Sequence, residues 1–169
     1  GCTGAGQGWF ESYLTGRTQS VRCSSSRSDY LSVRFGVPQG SVLGPILFLL
    51  YVADLLLLIH RHKLLPHSYA DDTQINGFSS PKPEEIIALA ARLSTCSDDI
   101  ARWMKCNRLQ LNTSKTEVLW CSSSRRQHEI PTDDVRIADA YIHPVPSVCN
   151  LGVQFDSASS MSDHVKNTV

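Results

Sequence analysis

The feature that most constrains the fold is an apolar stretch from Pro45 to Ile59, which is interrupted by one charged residue, Asp54. A membrane-spanning helix needs about 20 consecutive apolar residues, so a stretch of this length is too short to cross a bilayer. We therefore expect a helix buried in a protein core and no association with a membrane.

Composition limits the class of protein further. The chain has 169 residues, the size of one domain with a real core. It carries 16 Lys and Arg against 16 Asp and Glu, with a pI near 7.1. A strongly basic field is therefore absent, and a nucleic-acid partner must be bound locally or mostly by parts outside this chain.

Six cysteines are scattered without a C-x-x-C pair, and the N-terminal residues form no apolar signal region. This pattern indicates reduced thiols rather than a zinc site. We expect an intracellular protein, in the nucleus or cytoplasm and not secreted.

Periodicity and turn residues predict a mixture of helices and hairpin-linked strands, which is typical of an α+β layer architecture. The predicted order is a helix at 7–15 with Gly16 as its C-cap, a hairpin of strands 18–23 and 30–35, a glycine- and proline-rich loop at 36–45, the apolar helix, a hairpin of strands 66–70 and 73–78, a helix at 83–104, strands at 109–112 and 117–121, a polar turn at 122–127, and strands at 135–137 and 148–155.

Two adjacent carboxylates, Asp71 and Asp72, lie at the tip of the second predicted hairpin. In a protein interior such a pair repels unless a cation lies between the two groups, and oxygen ligands suit a hard divalent cation such as Mg²⁺. The alternative is a soluble turn, since Asp favours turns through its local hydrogen bonds. The dipeptide alone does not decide between these interpretations.

The order of the motifs is more specific than any one of them. The strings are Trp9 to Gln19, the loop Gly36-Val37-Pro38-Gln39-Gly40-Ser41-Val42-Leu43-Gly44-Pro45, Ser68-Tyr69-Ala70-Asp71-Asp72-Thr73-Gln74, Asn107 to Glu117, and Asn150-Leu151-Gly152-Val153. This succession resembles the reverse transcriptases of non-LTR (LINE-type) retrotransposons over almost the whole chain. The resemblance implies that residues 1–169 form part of a reverse transcriptase domain, with an antiparallel polymerase palm.

The resemblance also implies roles for the acidic turn. Asp71 would be a metal-ligating catalytic aspartate and Asp72 its less directly engaged neighbour. Two Mg²⁺ ions would activate the primer 3′-hydroxyl and stabilise the leaving pyrophosphate. The implied partners of the complete enzyme are an RNA template, a DNA primer and dNTP.

Further site residues follow from the same resemblance. Gln39 and Gly40 would pack under the incoming nucleotide and template, where a missing side chain allows close approach, and Tyr69 would contact substrate or template. Lys115 would protonate the pyrophosphate, or else be a solvated turn lysine. Leu151-Gly152 would form the primer-grip hairpin, or else a core strand with a bulge glycine.

Other charged residues have two interpretations each. Arg17, Arg22 and Arg34 could meet phosphates, although a solvated strand face is the more common role. The segment His60-Arg61-His62-Lys63 ends the apolar helix. Positive groups at a helix C-terminus interact favourably with the helix dipole, and a metal site is the weaker interpretation.

The sequence departs from the family pattern in one important place. The family carries a further aspartate on a strand upstream of the Trp9 segment. A residue that replaced it would have to lie at the end of an apolar strand, and neither Asp29 nor Asp54 does so. Fingers, thumb and any endonuclease domain would also lie elsewhere. We therefore expect these 169 residues alone not to polymerise DNA. A decayed or repurposed remnant that binds nucleic acid or has a structural role is the alternative, and a group II intron or telomerase-like relative would share the chemistry.

Overall fold

The computed structural model describes residues 3–36, 40–160 and 164–165. The chain divides into two compact units, Gly1–Tyr51 and Val52–Val169. Helix α2, Leu43–Arg61, contributes residues to both of them.

The first unit contains helix α1, Ala5–Leu14, followed by four short strands. Strands β1 (Thr18–Gln19) and β4 (Leu31–Ser32) pair with each other, as do β2 (Arg22–Cys23) and β3 (Ser26–Arg27). The predicted first helix and first hairpin are thus confirmed, although the ladders are shorter than the predicted strands. Gly16 follows α1 with φ +66°, the left-handed conformation that suits glycine after a helix end.

The second unit is built on α2 and helix α3, Pro83–Cys106, which begins with a proline at a first-turn position and two glutamates. Its strands form three antiparallel hairpins. The strands are β5 (Leu65–Tyr69) with β6 (Asp72–Asn76), β7 (Val135–Ile137) with β8 (Ala140–Ile142), and β9 (Ser147–Asn150) with β10 (Val153–Asp156). Short 3₁₀ turns cover Thr113–Lys115 and Ser124–Glu129.

The core lies between α2 and α3. Its buried residues are Leu55, Ile59, Leu64, Leu89, Cys96 and Ile100, and Trp103 and Trp120 pack against them. The helical spacing of Leu55 and Ile59 on α2, and of Cys96 and Ile100 on α3, gives each helix one buried stripe. This core supports the β5–β6 hairpin, since Ile75 of β6 packs against it.

Burial along α2 corrects part of the expectation for the apolar segment. Ile59 is 0 % exposed, but Ile46 is 51 % and Leu50 70 % exposed, so only the second half is a core helix. The helix has 19 residues and, by length and composition, could cross a membrane. It is the one such helix among the described residues, and 22 % of its apolar stretch is buried. The expectation that the segment is too short to span was therefore wrong, although core helices of soluble proteins meet the same criterion.

The strands predicted at 109–112 and 117–121 are not formed. The second segment makes isolated backbone bonds, from the Val145 N–H to the Val118 carbonyl and from the Ser122 N–H to the Ser157 carbonyl. A ladder needs successive bonds to one partner strand, which these segments lack. In the described residues the strands form five two-stranded antiparallel sheets. This arrangement is compatible with the α+β class, whereas a single palm-like sheet stays a prediction.

Candidate functional site

The acidic turn is the tip of the β5–β6 hairpin. Tyr69 pairs with Asp72 at the end of the ladder, which leaves Ala70 and Asp71 as a two-residue loop. Ala70 has φ +51°, a left-handed conformation that costs a non-glycine residue about 1–2 kcal/mol. Strain of this kind at a hairpin tip is common at functional sites and fixes the direction in which the next side chain leaves the turn.

The two faces of this hairpin differ in exposure. Burial alternates along β5, with Leu65, His67 and Tyr69 exposed and the residues between them partly buried. Cross-strand partners lie on the same face, so Asp72 and Gln74 share the exposed face with Tyr69 and His67. The sequence therefore places one polar, accessible face next to the acidic tip and one face against the core.

The carboxylates of Asp71 and Asp72 are exposed rather than interior, so their mutual repulsion does not by itself require a cation. Carboxylate oxygens remain the donors that Mg²⁺ prefers, and it usually keeps several waters. Within residues 3–36, 40–160 and 164–165, no group of three or more His, Cys, Asp or Glu is placed to hold a metal ion. The two carboxylates are of the type that Mg²⁺ prefers, and a magnesium site at this turn stays a prediction.

The β9–β10 hairpin carries the second site motif at its tip. Leu151 and Gly152 form its two-residue loop, with φ +50° and +82°. Two positive φ values define a type I′ turn, a backbone conformation that glycine adopts without strain and leucine adopts only with strain. Leu151 is 58 % exposed. The alternative of a core strand with a bulge glycine is therefore wrong, since both residues lie on an exposed hairpin tip.

A side-chain hydrogen bond joins the two hairpins. Asn150, the residue before the Leu151–Gly152 loop, donates through Nδ2 to Oε1 of Gln74 at 2.9 Å. Gln74 in turn donates through Nε2 to Oδ1 of Asn76 at 3.0 Å. Since Gln74 and Asp72 share one strand face, this amide chain connects the Leu151–Gly152 tip to the face that carries the acidic turn.

The remaining predicted site residues are placed separately. Gln39 lies outside the described residues, whereas Gly40 has φ +79° and space for a Cβ, so its backbone conformation is what favours glycine. Next to it, Ser41 Oγ accepts bonds from Tyr13 Oη at 2.9 Å and the Gly44 N–H at 3.0 Å, which anchors the loop. Lys115 is exposed at the end of a 3₁₀ turn, and its contact with the pyrophosphate stays a prediction.

The basic segment at the end of α2 contacts Asp99 of α3 through His62. His62 Nε2 lies 3.0 Å from Asp99 Oδ2, and Arg102 Nη1 lies 2.6 Å from Asp99 Oδ1. This pairing ties the end of α2 to α3. The five cysteines in the described part of the chain are free thiols, as predicted. Burial, with a smaller effect of Asp99, raises the pKa of Cys96 to about 11, which makes that thiol inert.

A further polar cluster attaches the β7–β8 hairpin to α3. Arg136 bonds both carboxylate oxygens of Asp98, at 2.8 and 2.7 Å. The hydroxyls of Ser94 and Ser97 bond the backbone of the same hairpin. The hydrogen bonds from Arg136 lower the pKa of Asp98 and raise the pKa of Arg136. Sequence reasoning missed this cluster because nothing near Arg136 marks its partner on the chain.

Comparisons with known proteins agree with the motif order. The family model for reverse transcriptase (RNA-dependent DNA polymerase) matches residues 2–160. In Drosophila melanogaster, the "Probable RNA-directed DNA polymerase from transposon BS" is 31 % identical over 166 residues, which cover 95 % of this chain and 18 % of the relative. The corresponding protein of transposon X-element is 31 % identical over 162 residues, covering 94 % and 17 %. The RNA-directed DNA polymerase of mobile element jockey is 26 % identical over 162 residues, covering 93 % and 17 %.

The chain therefore belongs to the reverse transcriptase family, as a reverse transcriptase segment of the non-LTR retrotransposon type. It spans less than a fifth of the length of the curated relatives it matches. No solved structure matches it significantly.

Proposed function

We propose that this chain is the palm portion of an RNA-directed DNA polymerase that extends a DNA primer with dNTP on an RNA template. The observation that carries the proposal is the exposed Asp71–Asp72 turn on a strained hairpin tip, within a chain of the reverse transcriptase family. We also propose that the protein acts inside the cell, in the nucleus or cytoplasm, and that the exposed half of α2 contacts protein rather than lipid.

In this proposal the two hairpin tips have different tasks. Asp71 and Asp72 supply carboxylate oxygens for Mg²⁺, and Tyr69 on the same face contacts the substrate or template strand. The exposed, apolar Leu151 and the small Gly152 contact the primer backbone near its 3′ end. Gly40 and Gln39 line the nucleotide, and Lys115 protonates the leaving pyrophosphate.

Mg²⁺ bound by the turn would neutralise phosphate charge and favour ionisation of the primer 3′-hydroxyl. The chain's own contribution is to hold the two carboxylates on a rigid hairpin. Two contacts hold that hairpin in place: Ile75 packs against the core, and Gln74 accepts a hydrogen bond from Asn150.

We further propose that residues 1–169 alone do not polymerise. A site for two metal ions needs more carboxylates than the turn supplies, and the described residues bring no third ligand of this type to it. The longest polypeptide encoded around this chain would then be active where the 169-residue piece is not.

The test is Mg²⁺-dependent primer extension on an RNA template by that longer polypeptide and its Asp71→Ala variant. Asp139→Ala is the matched control, because Asp139 is an exposed carboxylate at the same position of another two-residue hairpin loop, that of β7–β8. We expect extension by the parent and the Asp139 variant, and none by the Asp71 variant. Equal extension by all three would remove Asp71 from its role. Absence of extension by the parent would favour a non-catalytic remnant.

A further inference from the structure

The β1–β4 hairpin of the first unit contributes little to a core. Every residue from 21 to 32 is exposed, and both members of each strand pair are exposed as well. Val21 is 72 % and Tyr30 62 % exposed. A two-stranded hairpin is marginally stable in water without a surface to pack on. A partner that covers this exposed hairpin would supply such a surface.

Charge is concentrated in this hairpin, although the whole chain is neutral. Residues 17–34 hold four arginines and one aspartate, a net charge of +3, whereas the chain carries 16 basic and 16 acidic residues. Asp29 makes no ion pair with these arginines among the described residues. We call residues 17–34 the basic hairpin.

Two of the arginines face each other directly. Arg22 and Arg27 are cross-strand partners in the β2–β3 ladder. Like charges in directly opposite positions destabilise a strand pair, unless an anion lies between them. Arg27 is also held in place, because its Nη1 donates to Tyr30 Oη at 2.7 Å and its guanidinium lies 5.3 Å from the centre of the Tyr30 ring.

These observations favour a phosphodiester backbone as the partner. Each of the two guanidinium groups can bind a phosphate, because the planar fork of arginine binds phosphate in a bidentate manner. An exposed tyrosine next to them offers a ring on which a base of a single strand can stack. An anionic membrane would also meet the charge, and its headgroup phosphates accept the same arginine fork, but it offers no base to stack on the Tyr30 ring.

We infer that the basic hairpin is a binding surface for single-stranded nucleic acid, with Arg22 and Arg27 contacting two phosphates and Tyr30 supporting a base. The inferred binding requires no metal ion. As far as its role is concerned the inference rests on the proposed function, in which this surface would supply the local positive charge that a neutral chain needs in order to hold its template.

The experiment measures binding of a labelled single-stranded RNA of about 20 nucleotides, longer than one binding site. The protein is the longest polypeptide encoded around this chain, and EDTA is present so that the acidic turn does not contribute through metal. Binding is measured over a series of salt concentrations for the parent, for Arg22→Gln/Arg27→Gln, and for Arg125→Gln/Arg126→Gln. The last variant removes the same charge from two exposed arginines outside the hairpin.

The slope of log K against log salt should become shallower by about 1.4 for the hairpin variant, the value for two phosphate contacts on a single strand, and affinity at about 0.1 M salt should fall about 25-fold. The Arg125/Arg126 variant should keep the parent slope. Arg22→Lys/Arg27→Lys keeps the charge and should restore the slope while binding more weakly than the parent, which separates loss of contact from misfolding.

Equal slopes for the two glutamine variants would overturn the inference. Binding of the parent to phosphatidylserine vesicles that depends on Arg22 and Arg27, with unchanged RNA binding, would overturn it in favour of a membrane. Because the measurement excludes metal and chemistry, its result is independent of whether Asp71 supports primer extension.

Discussion

The buried position of Ile59 leads to a quantitative prediction about helix α2. Ile59 and Ile46 are the same residue type on one helix, 0 % and 51 % exposed. Ile59→Ala removes three buried carbons, about 2.4 kcal/mol of transfer free energy, and leaves a cavity, so the loss should be about 3–4 kcal/mol. For Ile46→Ala about half of the transfer term applies, and the better helix propensity of alanine offsets about 0.4 kcal/mol, which leaves about 1 kcal/mol.

Urea unfolding followed by tryptophan fluorescence measures both losses. Trp103 and Trp120 pack against the core cluster that contains Ile59, and Trp9 lies in the unit that contains Ile46, so the three tryptophans together report on both units. A large loss for Ile59→Ala beside a small one for Ile46→Ala is the expected result. Similar losses for the two variants would refute the view that only the second half of α2 is a core helix.

Two further predictions concern polar contacts. Because the folded-state pKa of Asp98 lies below its usual 3.8, the Asp98–Arg136 pair should stabilise the fold above that pH and lose its effect as pH falls through the lowered value. The Tm deficit of Asp98→Asn should then be present at neutral pH and vanish in acid; a deficit that persists there would contradict it. Gln74→Glu keeps the acceptor of the bond between the hairpins, and in Asn150→Asp the Gln74 amide can turn to donate, but the double variant has no donor. Single-turnover primer extension should therefore drop about two- to tenfold in the double variant alone, and not at all if the contact is incidental.

The sequence predicted the helices and the β5–β6 hairpin well, since their evidence is local, but it missed β8 and predicted one strand at 148–155 where the β9–β10 hairpin lies. Helical spacing and the proline at Pro83 located α3, and the run around Asp71–Asp72 located the β5–β6 hairpin. The strands predicted at 109–112 and 117–121 failed because a ladder depends on a partner elsewhere in the chain.

The site was predictable in part for the same reason. The motif order identified both hairpin tips, but the bond between Asn150 and Gln74 joins residues 76 positions apart. No pattern in the sequence encodes that contact. One signal was available: Gln74 follows Asp72 by two residues, so strand alternation already placed it on the face of the acidic turn.

The exposure of α2 could not be read from its composition. Apolar residues occupy both faces of its first half, and burial depends on which other elements cover them. A hydrophobic segment with no polar face is compatible with a core helix, a protein interface or a membrane span.

The most direct test of the central claim is the single-turnover rate of Mg²⁺-dependent primer extension by the longest polypeptide encoded around this chain, compared with its Asp71→Asn variant. Because a bound metal ion contributes several kcal/mol of transition-state stabilisation, we expect a rate loss of about 10³-fold, with RNA affinity unchanged. A variant that extends the primer at the parent rate would contradict it.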